Sequence, residues 1–197
     1  MRHLHLRDIN AEVVSALGAA FAGEAEVSVS RGDIFAVRAD AIVSPGNSFG
    51  YMDGGIDLLF AQQFGLGIEA RLRERLLDEH FGELPVGQAL VLATGHPTIP
   101  YMVSAPTMRV PGTITRTVNV YLACRAALIA VMNHNTAHAE NPIRTLLMPG
   151  LGTGVGEVHA DRAARQMRLA YDTIVKGRYL RPRNAGQIWG EHHELLS

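Results

Sequence analysis

Two glycine-rich segments, each placed between an apolar run and an amphipathic stretch, constrain this chain more than any other feature. The first runs from Pro45 to Gly55 and the second from Gly150 to Gly156. In an α/β sheet such segments fall at the carboxyl ends of the strands, where ligands bind. Glycine lets backbone amides approach a ligand closely, and the N-terminus of a following helix favours an anion. The two segments together therefore predict a cradle for a pyrophosphate that needs no lysine.

The alternation of short apolar runs with amphipathic stretches predicts an α/β layered domain. Strands are predicted at residues 3–7, 27–30, 40–44, 88–94, 101–105 and 145–148. Helices are predicted at residues 10–21, 56–64, 68–80, 117–133 and 159–175. The first strand alternates polar and apolar residues, which indicates an edge strand. Asn10 is expected to cap the first helix, because asparagine favours that position.

The tail after residue 177 shows no clear periodicity. We expect a partly ordered extension that packs on the domain through Trp189, the one tryptophan of the chain. The alternative is an arm that contacts a second subunit or covers a ligand.

Composition excludes several classes of protein. A chain of 197 residues corresponds to one domain, or to one domain with a short appendage. Lys and Arg number 18 against 19 for Asp and Glu, so no general attraction to nucleic acid or acidic membranes is expected. The single cysteine, Cys124, excludes an internal disulfide and a multi-cysteine zinc site. No apolar run approaches the ~20 residues of a membrane span, and a soluble, cytoplasmic protein is expected.

Standard nucleotide and metal motifs do not match. No lysine follows the second glycine segment as a P-loop requires, and Glu157 occupies the last place of a G-x-G-x-x-G pattern. His134 and His138 have the spacing of a zinc helix, but Asn135 replaces the glutamate of H-E-x-x-H. We therefore expect neither a metal nor a cofactor.

The polar residues near the glycine segments are the candidates for chemistry, and each has a structural alternative. Asp33 follows a glycine at a turn, where aspartate commonly caps the backbone. Asp57 falls in the first turn of a helix, where a carboxylate interacts favourably with the helix dipole. The complete set is Asp33, Asp40, Asn47, Asp53 and Asp57.

Four motifs in order resemble the macrodomain family. They are Gly32-Asp33-Ile34, Asp40-Ala41-Ile42-Val43-Ser44-Pro45-Gly46-Asn47, Gly54-Gly55-Ile56-Asp57 and Pro149-Gly150-Leu151-Gly152-Thr153-Gly154-Val155. The resemblance implies a three-layer α/β/α fold with a mixed central sheet. It places a macrodomain at residues 1–177, with core motifs at about 27–175, and leaves 178–197 as a C-terminal extension. The implied partner is ADP-ribose or an ADP-ribosylated substrate, and no oligomeric state follows.

The resemblance also implies roles for individual residues. Asp33 would accept a hydrogen bond from the adenine amino group, with Ile34 beside the ring, and Asn47 would contact the hydroxyls of the distal ribose. Backbone amides of the two glycine segments would bind the phosphates. The expected ligand-binding residues are Asp33, Ile34, Asn47, Gly54, Gly55, Ile56, Gly152, Thr153, Gly154, Val155 and Gly156.

Catalysis is the next implication of the resemblance. Asp57 lies at the same offset from Asn47 as the aspartate of macrodomains that hydrolyse mono-ADP-ribose from proteins, so Asp57 and Asn47 are the expected catalytic residues. Ala61 stands where those hydrolases often carry a histidine. The protein is thus expected to release ADP-ribose from a modified protein, nucleic acid or metabolite, or alternatively to be a non-catalytic reader of ADP-ribose. A third hypothesis, outside the resemblance, is an α/β protein whose glycines only form turns.

Two further positions depart from the family pattern. Ser44 begins Ser-Pro-Gly-Asn where Asn-Ala-Ala-Asn is commoner, so one asparagine is missing. Gly156 stands where many members carry an aromatic residue against the distal ribose, and we expect additional space there. Phe49 or Tyr51 is a candidate to supply the missing aromatic contact.

Overall fold

The computed structural model describes residues 1–65 and 67–197. Its centre is a six-stranded sheet with the strand order β2-β1-β6-β3-β5-β4. The strands are β1 His3–Asp8, β2 Val27–Arg31, β3 Ala41–Ser44, β4 Leu90–Ala93, β5 Tyr101–Ser104 and β6 Thr145–Met148. All neighbouring strands pair parallel except β4 and β5, which pair antiparallel. The mixed sheet that the family resemblance implied is confirmed.

Helices cover both faces of the sheet. They are α1 Ala11–Ala20, α2 Gly55–Phe64, α3 Gly67–His80, α4 Asn119–Ala137, α5 Ala160–Ile174 and α6 Ala185–Leu196. Buried residues of α1, α4 and α5 form one core with β-strand residues such as Leu4 and Val43. Buried residues of α2 and α3 form a second core with Ile42 and Leu147. Successive strand residues point to opposite faces, so the predicted three-layer α/β/α arrangement is confirmed.

The prediction of an edge position for β1 is wrong, because β1 lies between β2 and β6. Its apolar residues face the core with α1 and α5, while its polar residues find partners on the neighbouring strand. The Nε2 atoms of His3 and His5 lie 2.8 and 2.7 Å from the hydroxyls of Ser28 and Ser30. Hydrogen bonds to the neighbouring strand thus satisfy the polar side chains of β1. An interior strand can therefore show the alternating polar and apolar pattern that is expected of an edge strand.

Asn10 caps α1 as expected, since its Oδ1 accepts a hydrogen bond from the Glu12 amide at 2.9 Å. Asp8, at the end of β1, in turn accepts from the Asn10 amide at 2.9 Å. These two contacts set the direction in which α1 leaves the sheet.

The tail differs from the prediction. It contains α6, and Trp189 is 62% exposed, so Trp189 does not pack on the domain. The last turn of α6 makes the contact instead, through Leu195, which is 5% exposed. The fully buried Gln166 donates to the Leu195 carbonyl at 2.9 Å. No helix within residues 1–65 and 67–197 is long and apolar enough to cross a membrane.

Candidate functional site

A cleft of about 510 Å³ lies at the carboxyl ends of the parallel strands. Both glycine segments line it, together with residues that follow β1, β2 and β5. A volume of this size suits a nucleotide-like small molecule. The expected ligand-binding residues and the expected catalytic Asp57 all line this one cleft: Asp33, Ile34, Asn47, Gly54, Gly55, Ile56, Asp57, Gly152, Thr153, Gly154, Val155 and Gly156.

The segment between β6 and α5 presents a row of free donors. Its turns are closed by the Glu157 amide, which donates to the Gly154 carbonyl, and by the Val158 amide, which donates to the Gly152 carbonyl. The amides of residues 151–156 themselves have no acceptor in the described part of the chain. Successive amides without partners can form a concave site for an anion, and residues 152–156 of this segment line the cleft.

The opposite wall of the cleft is the N-terminus of α2. Gly54 is its N-cap, and no side chain caps the first turn. The first amides of a helix have no partner within the helix, and they carry the positive end of its dipole. A Cβ atom placed on Gly55 would stand 3.8 Å from Val155 Cγ2, so the two glycine segments approach each other directly. An anion between them meets donors from both sides.

Gly156 does not open the space expected for it. A Cβ atom placed there would lie 2.6 Å from the Gly152 carbonyl oxygen and 2.8 Å from Ile114 Cγ1. The Ile114 amide also donates to the Gly156 carbonyl at 2.9 Å. Glycine is therefore required at this position by close packing, and the segment that contains Ile114 fills the adjoining volume.

Asp57 is the buried carboxylate of the cleft, with 8% of its surface exposed. Its Oδ1 accepts a hydrogen bond from the Ser44 hydroxyl at 2.7 Å. The pKa of Asp57 is raised from 3.8 to about 6, chiefly by burial; the Ser44 hydrogen bond lowers the pKa, and the charge of Asp53 raises it. A carboxyl that titrates near neutral pH in a cleft can act as a general base or acid.

Most of the hydrogen-bonding capacity of the Asn47 side chain is used within its own loop. Its Nδ2 donates to the Tyr51 carbonyl at 2.8 Å, and its Oδ1 accepts from the amides of Phe49 and Tyr51 at 3.1 and 3.3 Å. An asparagine amide group has two N–H donors. One donor of Asn47 is therefore left for a ligand, and the side chain also shapes the loop.

Of the two aromatic candidates, Tyr51 lines the cleft and Phe49 does not. The Arg73 guanidinium lies 4.3 Å from the centre of the Tyr51 ring and also donates to its hydroxyl at 3.2 Å. Phe49 is instead covered by Arg109 at 5.0 Å. The cation–π contact holds the Tyr51 ring at the edge of the cleft.

Asp33 performs the turn-capping role and lines the cleft as well. Its Oδ1 accepts from the Phe35 amide at 3.0 Å, which leaves Oδ2 for another donor. Ile34, the next residue, is 6% exposed. Arg7, which the sequence did not single out, lines the same end of the cleft and donates to the Asp33 carbonyl at 2.8 Å.

Two acidic residues have structural positions that the sequence did not distinguish. Asp8 fastens the second glycine segment to β1, because its Oδ2 accepts from the Gly150 amide at 3.0 Å. Asp40 lies at the opposite end of β3 from the cleft and accepts from the amides of Arg144 and Thr145 at 2.8 Å each. Among the described residues, no three His, Cys, Asp or Glu side chains converge in a way that could hold a metal ion.

The chain is similar in sequence to known proteins. The Macro domain family matches residues 43–167. An uncharacterized protein of Aeropyrum pernix is 31% identical over 159 residues, which are 81% of this chain and 77% of that protein.

Solved structures give a second comparison. The macrodomain of Mycobacterium tuberculosis DarG aligns with a TM-score of 0.56 and 21% identity, over 73% of this chain and 88% of that one. A mutant of the Oceanobacillus iheyensis macrodomain with ADPR aligns with a TM-score of 0.57 and 18% identity, over 71% of this chain and 73% of that one. At these identities the likeness shows a shared fold.

Proposed function

The chain belongs to the macrodomain family, and from that premise we propose that its cleft binds ADP-ribose and hydrolyses mono-ADP-ribose from a modified protein, nucleic acid or metabolite. One observation carries this proposal: a buried carboxylate, Asp57, stands in the same cleft as two facing sets of free backbone amides. The Oceanobacillus macrodomain solved with ADPR supports the choice of ligand.

The diphosphate of ADP-ribose lies between the two glycine segments in this proposal. Amides of Gly55 and Ile56 meet it from one side, and those of Thr153, Gly154 and Val155 meet it from the other. Hydrogen bonds from neutral amides to a charged acceptor are stronger than those between neutral groups. This arrangement accounts for phosphate binding without a lysine among the residues that line the cleft.

The two ends of the ligand are assigned from the side chains that remain free. The Asp33 Oδ2 accepts from the adenine amino group, and Ile34 contacts the ring. Asn47 donates its one remaining N–H to a hydroxyl of the distal ribose. Tyr51 packs against that ribose in place of the aromatic residue that Gly156 cannot supply.

Hydrolysis in this proposal uses Asp57 as the base. With a pKa of about 6, its carboxyl is mostly ionised at pH 7. It accepts a proton from a water whose oxygen bonds to the anomeric carbon of the distal ribose, while the bond from that carbon to the leaving group breaks. The proton can then pass to the leaving group. A carboxylate beside the ribose also stabilises the positive charge that develops on the ring.

The alternative function is a reader that binds ADP-ribose without chemistry. Ala61 favours the reader function. This residue lies on the buried face of α2, is 5% exposed and does not line the cleft. A second acid–base side chain therefore does not come from the position where hydrolytic members often carry histidine. The rate of product release distinguishes the two functions.

The test compares the parent with Asp57→Ala on ADP-ribose linked to glutamate, arginine, serine and nucleic acid. We expect release by the parent from one of these linkages and a fall of about 10²–10⁴ in its rate for the variant. Binding of free ADP-ribose should change by less than about 1 kcal/mol, because the interaction is made in the transition state. Asp161→Ala is the matched control, since Asp161 occupies the first turn of α5.

Each contrary result has a definite meaning. Absence of release by the parent from every linkage would make the protein a reader. Undiminished release by Asp57→Ala would remove Asp57 as the base.

A further inference from the structure

Ser44 and Asp57 form a buried contact between a strand and a helix. Ser44 is the last residue of β3 and is 2% exposed, and its hydroxyl donates to Asp57 Oδ1 at 2.7 Å. Asp57 reaches this contact from the first turn of α2. The hydrogen bond therefore joins the two elements that flank the first glycine segment.

The direction of Ser44 follows from the alternation of side chains along β3. Ala41 and Val43 face the core with α1, α4 and α5, while Ile42 faces the core with α2 and α3. Ser44 shares the face of Ile42, so its hydroxyl points toward the first turn of α2. Ser44 does not line the cleft, whereas Asp57 does. Any effect of Ser44 on a ligand must therefore pass through Asp57.

Gly46 restricts the second carboxylate oxygen. A Cβ atom placed on Gly46 would stand 2.7 Å from Asp57 Oδ2 and 3.3 Å from Oδ1. The carboxylate is thus packed against the backbone of the first glycine segment, with Oδ1 tied to Ser44. Gly46 lines the cleft, and Oδ2 is the oxygen that carries no hydrogen bond in the described chain.

We propose that Ser44 is a positioning residue for hydrolysis: its hydroxyl fixes the rotamer of Asp57 so that Oδ2 receives the proton of the attacking water. The inference rests on the proposed hydrolase function and names the residue that makes its base competent. Ser44 occupies the place where the related motif more often has asparagine. The shorter serine side chain supports the carboxylate from behind, out of reach of the ligand.

The electrostatic surroundings of Asp57 make this one hydrogen bond important. Burial and the charge of Asp53 both raise the pKa of Asp57, and the Ser44 hydroxyl is the group that lowers it. Among the described residues, Asp53 is the one charged group that shifts the pKa of Asp57, and β3, which carries Ser44, has no titratable side chain. Loss of the hydroxyl leaves the two raising effects unopposed.

The main test is the pH dependence of ADP-ribose release by Ser44→Ala. We expect the acidic limb of the kcat profile to move up by roughly one to two pH units, the equivalent of a hydrogen bond to a charged group. The rate at pH 6 should therefore fall by about five- to fiftyfold, with little change in KM. Ser48→Ala is the matched control, because Ser48 is a comparably buried serine four residues further along, and its hydroxyl lies 3.5 Å from the Met108 carbonyl instead of contacting Asp57.

A second readout does not depend on turnover. Titration of the Asp57 carboxyl carbon by NMR in the ligand-free protein should give a midpoint near pH 6 for the parent and Ser48→Ala, and a higher one for Ser44→Ala. Should the parent release no ADP-ribose, the hydrolase proposal fails, and this titration still decides whether Ser44 governs the carboxylate. Equal midpoints in parent and Ser44→Ala, or superimposable pH profiles, would overturn the inference.

Discussion

At the scale of a single residue, Asp57 shows how a proposed catalytic position lowers the stability of the fold. Its folded pKa of about 6 exceeds the ordinary value of 3.8, because burial disfavours the charged form. Between these two pH values the unfolded chain has already lost the proton that the folded chain still holds. Stability therefore declines as the pH rises from about 4 to about 6 and stays low above that range.

Asp57→Asn removes this penalty and is predicted to stabilise the protein at pH 8. The gain should reach up to about 3 kcal/mol, from two pKa units at 1.36 kcal/mol each, and should disappear below about pH 4. Urea unfolding at pH 8 and pH 4 measures both values, with Asp161→Asn as a control in an exposed first turn. An equal effect at the two pH values would show that the carboxyl of Asp57 is not destabilised by burial.

The sequence identified the residues of the cleft better than it identified their contacts. The order of the glycine segments and Asp33, Asn47 and Asp57 predicted a common location, because parallel strands bring their carboxyl ends to one edge. The engagement of Asn47 by its own loop was not predicted, and neither was the bond from Ser44 to Asp57. Both depend on the path of the backbone through a turn, which residue types alone do not determine.

At the scale of elements, the second glycine segment contains two glycines that differ in their tolerance of substitution by alanine. Gly156→Ala should lower the free energy of unfolding by about 1–3 kcal/mol, since its Cβ would meet the Gly152 carbonyl at 2.6 Å. Gly154→Ala should change it by less than about 0.5 kcal/mol, because nothing lies within 4 Å of the new atom. Chemical denaturation of both variants checks the contrast. Equal losses would mean that the segment is not packed on Ile114 as described.

Helix α6 illustrates what sequence patterns miss at this scale. Most of its residues are exposed, so it lacks the apolar stripe that marks a helix packed along its whole length. The prediction that β1 is an edge strand was wrong because strand order depends on how all the strands assemble. The residue pattern within one strand does not determine that order. Elements buried along their length, such as α5 and β3, were predicted to within about two residues.

The attachment of α6 gives a prediction about local opening. Leu195→Ala removes the buried contact of its last turn, so amide hydrogen exchange within α6 should accelerate while exchange in β3 and β6 stays unchanged. Trp189→Ala removes a larger but exposed side chain, and exchange should stay at the parental rate. Hydrogen exchange read by mass spectrometry compares the three proteins. If amide exchange within α6 were faster in Trp189→Ala alone, Trp189 and not Leu195 would be the residue that packs α6 on the domain.

At the scale of the whole molecule, motifs more than a hundred residues apart meet because β1, β3 and β6 are adjacent and parallel. The net charge of −1 gives no long-range attraction for an anion. Affinity for a diphosphate must therefore come from short-range amide donors, as the cleft provides. This dependence makes the shape of the glycine segments decisive for binding.

Calorimetric titration with free ADP-ribose tests the central claim most directly. The parent should bind one equivalent with a dissociation constant around micromolar, equivalent to about −8 kcal/mol. Gly154→Glu should abolish binding at an unchanged melting temperature, because the new carboxylate enters open space at the proposed diphosphate site. Absence of binding by the parent, or equal binding by Gly154→Glu, would contradict the assignment of this cleft to ADP-ribose.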